Sequence, residues 1–112
     1  MKSYPSAFDY LRDHNSDNPI VAYRTFVARR AAQRFVENFS GDELYALKAN
    51  THPLLIESLI AGGITKFDVA SLSEIQLLSQ YQGIEAVFMH PVKPRSSIRN
   101  AYFEYGVRSF CL

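Results

Sequence analysis

Lys66 to Gly83, "KFDVASLSEIQLLSQYQG", predicts one β-strand followed by one α-helix. The first residues form a short and mostly apolar run, which is typical of a strand covered on both faces. Ser71 and Glu74 then form an S-x-x-E pattern in front of a second apolar run, and this pattern is the capping box that starts a helix. The stretch therefore predicts a βα unit.

The same unit occurs on both sides of this stretch. "LYALK" and "AVFMH" predict strands, and each is followed by a helical segment, "HPLLIESLIAGG" or "PRSSIRNAYFEYG"; a last strand, "VRSFCL", follows. Pro53 starts the first of these helices and Gly62 and Gly63 follow its end. The strands begin at Leu44, Phe67, Val87 and Val107, with spacings of 23, 20 and 20 residues. Such even spacing predicts parallel strands joined by helical crossovers.

The first part of the chain predicts three further elements. Residues 1–19 form a lead-in in which Phe8 and Leu11 share one face of a short helix, and "DHNSDNP" ends it. Ile20 to Arg24 predicts a strand, and Thr25 is a candidate N-cap for the next helix. That helix carries an apolar stripe of Val27, Ala31, Phe35 and Phe39, flanked by Ala28, Ala32 and Val36.

Two architectures contain repeated βα units, an open doubly wound sheet and a (β/α)8 barrel. The sequence shows no sign that the winding direction reverses. A barrel needs eight units and about 250 residues, whereas these 112 residues supply three units and one further strand. We predict an α/β fold that is the N-terminal portion of a (β/α)8 TIM barrel, truncated after about four parallel strands. Residues 1–19 are the lead-in and residues 20–112 the partial barrel domain.

Composition limits the classes of partner. The chain is 47% hydrophobic and 21% charged with a net charge of +1, which gives no reason to expect a nucleic-acid or membrane partner. Cys111 is the one cysteine, so no internal disulfide is possible, and an apolar neighbourhood makes it a buried hydrophobe rather than a catalytic thiol. No secretory signal or membrane-spanning run is present in the sequence, so the cytoplasm is the expected location.

Ionisable side chains occur where the predicted strands end, which is the edge where α/β folds collect functional groups. Lys48 ends the first of these strands, Asp68 lies near the end of the second, and His90 and Lys93 follow the third. Lys48 has two interpretations. It is a surface lysine whose amine reaches water, or it is a nucleophilic amine that attacks an aldehyde carbon.

The other strand-end residues also have two interpretations each. Asp68 either forms a surface ion pair or helps to hold Lys48 or an active-site arginine. Glu74 is explained by the capping box alone, although the same helix N-terminus can also face an anion. His90 is interpreted as structural and Lys93 as a loop lysine or an anion contact. No second His or Cys has metal-ligand spacing to His90, so no metal site is expected.

Several motifs, in order and at matching spacing, indicate a family. They are "YALKAN" at 45–50, "FDVAS" at 67–71 with Glu74 and Ile75, and "HPVKPRSSI" at 90–98. From about Ile20 to Leu112 the chain resembles the fold-type III pyridoxal-phosphate enzymes. This group includes eukaryotic-type ornithine decarboxylase, diaminopimelate decarboxylase and, more distantly, alanine racemase. The resemblance implies an alanine racemase-like barrel with pyridoxal 5'-phosphate as cofactor. It implies that Lys48 forms the covalent aldimine with the cofactor, and that Asp68 and Glu74 are cofactor-binding.

Two sequence motifs favour the ornithine/lysine decarboxylase branch of this family. The "FDVAS" form is similar to that of the ornithine/lysine decarboxylases, and Thr51-His52-Pro53 stands where racemases have Tyr-Gly-His. The resemblance implies decarboxylation of a basic amino acid in polyamine biosynthesis by a homodimer. It also places the phosphate site, the substrate-binding residues and a β-rich domain beyond Leu112, so we expect this chain to be inactive alone. The alternative is a non-catalytic regulatory or binding homologue with the same barrel.

Overall fold

The computed structural model describes residues 2–112, which form five α-helices and four β-strands. A single turn of 3-10 helix, Leu47–Ala49, follows the first strand. In chain order the elements are α1 (Ala7–Asp13), α2 (Thr25–Asn38), β1 (Leu44–Ala46), α3 (Pro53–Ala61), β2 (Lys66–Val69), α4 (Leu72–Leu78), β3 (Glu85–Phe88), α5 (Arg95–Phe103) and β4 (Ser109–Phe110).

The four strands form one parallel sheet in the order β1-β2-β3-β4. Each new strand is added on the same side of the previous one, so the winding does not reverse among these strands. The register aligns Ala46, Asp68, Val87 and Ser109 in one row across the sheet. Sequential order without reversal is what a (β/α)8 barrel requires of four consecutive strands.

The helices cover one face of the sheet. Phe67 and Val69 of β2 and Phe88 of β3 are buried in a core that also contains Ile56 of α3 and Ile75 of α4. Since successive side chains of a strand point to opposite faces, Lys66 and Asp68 point away from the helices. That second face is only partly buried within residues 2–112.

Helices α2 and α3 meet at a point where only glycine fits. A Cβ added at Gly62 would lie 2.5 Å from the Ala32 Cβ and 2.6 Å from the carbonyl oxygen of Arg29. Interiors are packed too densely to absorb such contacts without displacement. Gly62 follows the last residue of α3, as predicted, and in addition it allows α2 to approach that closely.

The predictions for the first part of the chain need three corrections. Ile20 to Arg24 is not a strand, because the sheet of the described residues gives this segment no neighbour to pair with, and Val21 is 77% exposed. Thr25 is the first residue of α2 rather than its N-cap; Arg24 occupies the cap position without a side-chain hydrogen bond.

The third correction concerns the apolar stripe of α2. Ala32 is buried and Ala28 and Val36 are half-buried, whereas Phe35 and Phe39 are exposed. The flanking row of small side chains therefore forms the contact with α3, since close approach to Gly62 leaves no room for aromatic rings. The predicted lead-in helix is present as α1, but Phe8 and Leu11 remain exposed.

Among the helices of the described residues, none has the length and hydropathy needed to cross a lipid bilayer.

Candidate active site

Lys48 lies in the 3-10 turn directly after β1. The sequence predicts a strand that runs to Lys48, but β1 ends at Ala46. The Leu47 side chain is fully buried and anchors the turn, while Lys48 is exposed. Within residues 2–112 no carboxylate forms a salt bridge with the Lys48 amine. The amine is therefore placed at the carboxyl edge of the sheet and is open to a small molecule.

Asn50 connects the hydrogen bonds that fix this turn. Its backbone N–H donates to the Leu47 carbonyl oxygen at 3.2 Å. Its own carbonyl oxygen accepts a hydrogen bond from the Tyr45 hydroxyl at 3.3 Å, and its Oδ1 accepts one from the His52 N–H at 2.9 Å. These three bonds join β1, the Lys48 turn and the start of α3, so Asn50 limits the positions that Lys48 can take.

His52 caps the helix that follows. Its Nδ1 accepts a hydrogen bond from the Leu54 N–H at 3.3 Å, and Pro53 occupies the first turn of α3. The His52 ring also stacks on Tyr23, with ring centroids 4.1 Å apart and an interplanar angle of 24°. This cap was not predicted from the sequence, although a polar side chain directly before a proline that starts a helix is the signal for it.

Asp68 is the third residue of β2 and is paired in register with Ala46. Its side chain points away from the helices and is half-buried. The described part of the chain shows no salt bridge between Asp68 and Lys48 or an arginine. Neither a surface ion pair of Asp68 nor an ion pair with Lys48 is present there. Asp68 is level with Ala46 on the neighbouring strand, two residues before Lys48.

Ser71 is the predicted N-cap of α4, but the second bond of the predicted capping box goes to Ala70 rather than to the Ser71 N–H. The Ser71 Oγ accepts a hydrogen bond from the Glu74 N–H at 3.3 Å, and the Glu74 Oε2 accepts one from the Ala70 N–H at 2.7 Å. The carboxylate of Glu74 thereby also fixes the loop between β2 and α4. This loop lies at the same edge of the sheet as Lys48.

Lys93 links the ends of the third and fourth strands, whereas the His90 side chain bonds only within the loop after β3. The Nδ1 of His90 lies 3.1 Å from the Val92 N–H nitrogen and 2.8 Å from its carbonyl oxygen. The Lys93 ammonium donates to the carbonyl oxygens of His90 and Cys111. Lys93 therefore joins the end of β3 to the end of β4. These contacts support its interpretation as a loop lysine and require no bound anion. The structural interpretation of His90 agrees with these contacts.

The comparisons with known proteins decide the family. Residues 27–111 match the family described as "Pyridoxal-dependent decarboxylase, pyridoxal binding domain". The chain belongs to this family. Pyridoxal-dependent decarboxylases include a lysine/ornithine decarboxylase of Selenomonas ruminantium, to which the chain is 38% identical over 68 residues. That match covers 59% of this chain and 17% of the relative.

The fold agrees with this membership. The crystal structure of lysine decarboxylase from Selenomonas ruminantium superposes with a TM-score of 0.69 at 25% sequence identity, and the match covers 98% of this chain. The chain spans 31% of the length of that decarboxylase. The structural match confirms that the four parallel strands and their helices correspond to the N-terminal part of a decarboxylase barrel domain.

The residues at the carboxyl edge fit pyridoxal phosphate, the cofactor that the family's pyridoxal binding domain holds. Of the three lysines between Leu44 and Leu112, Lys66 is paired with Asp42 and Lys93 with two carbonyl oxygens. Lys48 has no such partner among the described residues, and a free amine of this kind can react with an aldehyde. Among residues 2–112 no three His, Cys, Asp or Glu side chains converge as a metal site would require.

Proposed function

We propose that this chain is the N-terminal, cofactor-binding part of a pyridoxal-phosphate-dependent decarboxylase that acts on lysine, ornithine or a related basic amino acid. The observation that carries the proposal is the exposed, unpaired amine of Lys48 in the turn after β1, within a segment that matches the pyridoxal binding domain. The name of the lysine/ornithine decarboxylase relative supports the substrate class.

In this proposal Lys48 would hold the cofactor by a C=N bond between its Nζ and the aldehyde carbon, with the aldehyde oxygen leaving as water. When bound, pyridoxal phosphate supplies a ring that accepts the electron pair left by the departing carboxylate. A free Lys48 Nζ at this edge of the sheet would be able to carry a proton to or from the reacting carbon. Asn50 keeps this amine in place through its bonds to Leu47 and Tyr45.

Asp68 and Glu74 have different tasks in the same site. The Asp68 carboxylate is half-buried on the face of the sheet opposite the helices and has no salt bridge among the described residues, so it can face a cationic group of the bound cofactor. Glu74 accepts a hydrogen bond from Ala70 and positions the loop that borders the site. The full protein is proposed to be a cytoplasmic homodimer that produces diamines for polyamine synthesis.

A chimera tests this proposal. Residues 27–111 replace the matching segment of the Selenomonas ruminantium lysine/ornithine decarboxylase, and release of carbon dioxide from lysine and from ornithine is measured with added pyridoxal phosphate. We expect activity that falls by about two orders of magnitude or more in Lys48→Ala and in Lys48→Arg. Lys48→Arg is the matched control for charge, because arginine keeps the cation but does not form the bond.

Two results would contradict the proposal. A folded chimera whose activity is the same with and without Lys48 excludes the role of that amine. A folded chimera that binds the cofactor at Lys48 but releases no carbon dioxide favours the non-catalytic homologue instead.

A further inference from the structure

The stack of Tyr23 on His52 joins the segment before α2 to the carboxyl edge of the sheet. Tyr23 is half-buried, whereas every other residue in 11–27 is exposed. The two ring centroids lie 4.1 Å apart with an interplanar angle of 24°. Aromatic pairs of this kind stabilise a structure beyond the area that they bury. Tyr23 therefore anchors a segment that is otherwise open to solvent.

Three hydrogen bonds continue from the His52 ring to the turn that carries Lys48. The ring Nδ1 accepts from the Leu54 N–H at 3.3 Å, which fixes the ring at the start of α3. The His52 N–H donates to the Asn50 Oδ1 at 2.9 Å. The Asn50 N–H donates in turn to the Leu47 carbonyl oxygen at 3.2 Å and closes the 3-10 turn. Because these bonds follow one another along the chain, a movement of the ring is passed on to the turn.

We propose that Tyr23 is a positioning residue for Lys48. Its ring holds the His52 ring in place, and the hydrogen bonds that follow keep the Lys48 amine at the carboxyl edge of the sheet. Tyr23 lies before residue 27, where the match to the pyridoxal binding domain begins, so the proposal adds to the site a residue from outside the matched segment. It rests on the proposed function, because it gives Tyr23 a share in the reactivity of Lys48.

Loss of the stack lowers the reactivity of Lys48 toward an aldehyde. When the turn opens, the Lys48 amine samples the positions of an ordinary exposed lysine, and the advantage of a fixed orientation is lost. The stabilisation from one aromatic pair corresponds to a change of about two- to tenfold in the population of the closed turn. Lys2, which is exposed and far from this turn in sequence, is the reference amine within the same chain.

Labelling of the 112-residue chain with pyridoxal phosphate and borohydride tests the proposal. The readout is the ratio of the initial labelling rates at Lys48 and at Lys2, measured by peptide mass spectrometry. Tyr23→Ala should lower this ratio about two- to tenfold, whereas Tyr23→Phe should preserve it because phenylalanine keeps the stacking ring. Val21→Ala is the matched control in the same segment, since Val21 is 77% exposed, and it should leave the ratio unchanged.

Two further variants separate positioning from general stability. His52→Asn keeps an oxygen acceptor for the helix cap and removes the ring, so it should lower the ratio as much as Tyr23→Ala does. The double variant should lower the ratio no further, because both changes remove the same stack. Gly62→Ala disturbs the contact of α2 with the opposite end of α3. It should leave the ratio unchanged although the fold is less stable.

Amide hydrogen exchange, followed by NMR, tests the same link without the cofactor. The N–H groups of Asn50 and His52 should exchange about two- to tenfold faster in Tyr23→Ala and at the unsubstituted rate in Tyr23→Phe. Unchanged exchange of both groups in Tyr23→Ala, or a labelling ratio that does not fall, overturns the proposal. A ratio no greater than one in the unsubstituted chain instead contradicts the proposed function, and the exchange rates still decide whether Tyr23 holds the turn.

Discussion

Lys48 shows what single residues contribute to this site. The alternation of buried Leu47 and exposed Lys48 puts an amine at the carboxyl edge of the sheet, and the sequence predicted that position from the end of an apolar run. The hydrogen bonds of Asn50 could not be predicted. Their partners depend on the path of the 3-10 turn, which no periodic pattern in the sequence encodes.

The role of the Asn50 side chain leads to the first prediction. Its Oδ1 acts as an acceptor for the His52 N–H, so Asn50→Asp keeps the bond and Asn50→Ala removes it. We expect Asn50→Ala to lower the free energy of unfolding by about 1 kcal/mol, and Asn50→Asp to lower it by much less. Urea unfolding measures both values; equal losses in the two variants would show that the acceptor is unimportant.

Tyr45 leads to a prediction about alkaline pH. Burial raises the pKa of the Tyr45 hydroxyl above its ordinary value of 10.0. Below pH 10 the phenol is neutral in both the folded and the unfolded chain, so it contributes no pH dependence there. Above pH 10 the unfolded chain ionises first, and stability falls as pH rises through the folded pKa.

Tyr45→Phe should therefore weaken the decrease in stability above pH 10. Tyr81→Phe should weaken it as well, because burial also raises the pKa of Tyr81. The measurement is the slope of unfolding free energy against pH from about 9 to 11, which separates this effect from the constant loss of the Tyr45 to Asn50 hydrogen bond. Unchanged slopes in both variants would contradict the assignment.

At the scale of elements, the sequence predicted the βα repeats and not the segment before them. Strands and helices from β1 to β4 were predicted because each apolar run ends at a turn or a capping residue, as at Ser71. Ile20 to Arg24 has the composition of a strand but no neighbour within the described sheet. Pairing is a property of the tertiary structure, so β-propensity alone gave the wrong element.

The close contact between α2 and α3 at Gly62 leads to a prediction about stability. Its φ of −85° is accessible to any residue, so Gly62→Ala tests only the space between α2 and α3. We expect a loss of about 1–3 kcal/mol in unfolding free energy, because the added Cβ collides with Ala32 and with the Arg29 carbonyl. Thermal or urea unfolding gives this value.

Gly83→Ala is the control for this substitution. An added Cβ at Gly83 meets no atom within 4 Å, but φ is +73°, so only the backbone cost of about 1–2 kcal/mol applies. Adding Ala32→Gly should recover part of the stability lost in Gly62→Ala and none of that lost in Gly83→Ala. If Ala32→Gly rescues neither, the close approach of α2 and α3 is not the cause.

At the scale of the whole molecule, one face of the sheet is packed and the other is open. The even βα period and the family resemblance predicted a partial barrel, and the match of 98% of the chain to part of a lysine decarboxylase confirms it. The sequence did not predict which flank of α2 stays exposed, since Phe35 and Ala32 belong to equally apolar rows. The difference arises only when Gly62 brings α3 against one of them.

The most direct test of the account is the distribution of a pyridoxyl label among the four lysines of the chain, Lys2, Lys48, Lys66 and Lys93. The chain is incubated with excess pyridoxal phosphate, reduced with borohydride, digested and analysed by mass spectrometry. The account predicts most label on Lys48, with little on Lys66 and Lys93, whose amines are already bonded. Label on Lys48 that does not exceed that on exposed Lys2 would contradict the assignment of Lys48 as the cofactor-binding amine.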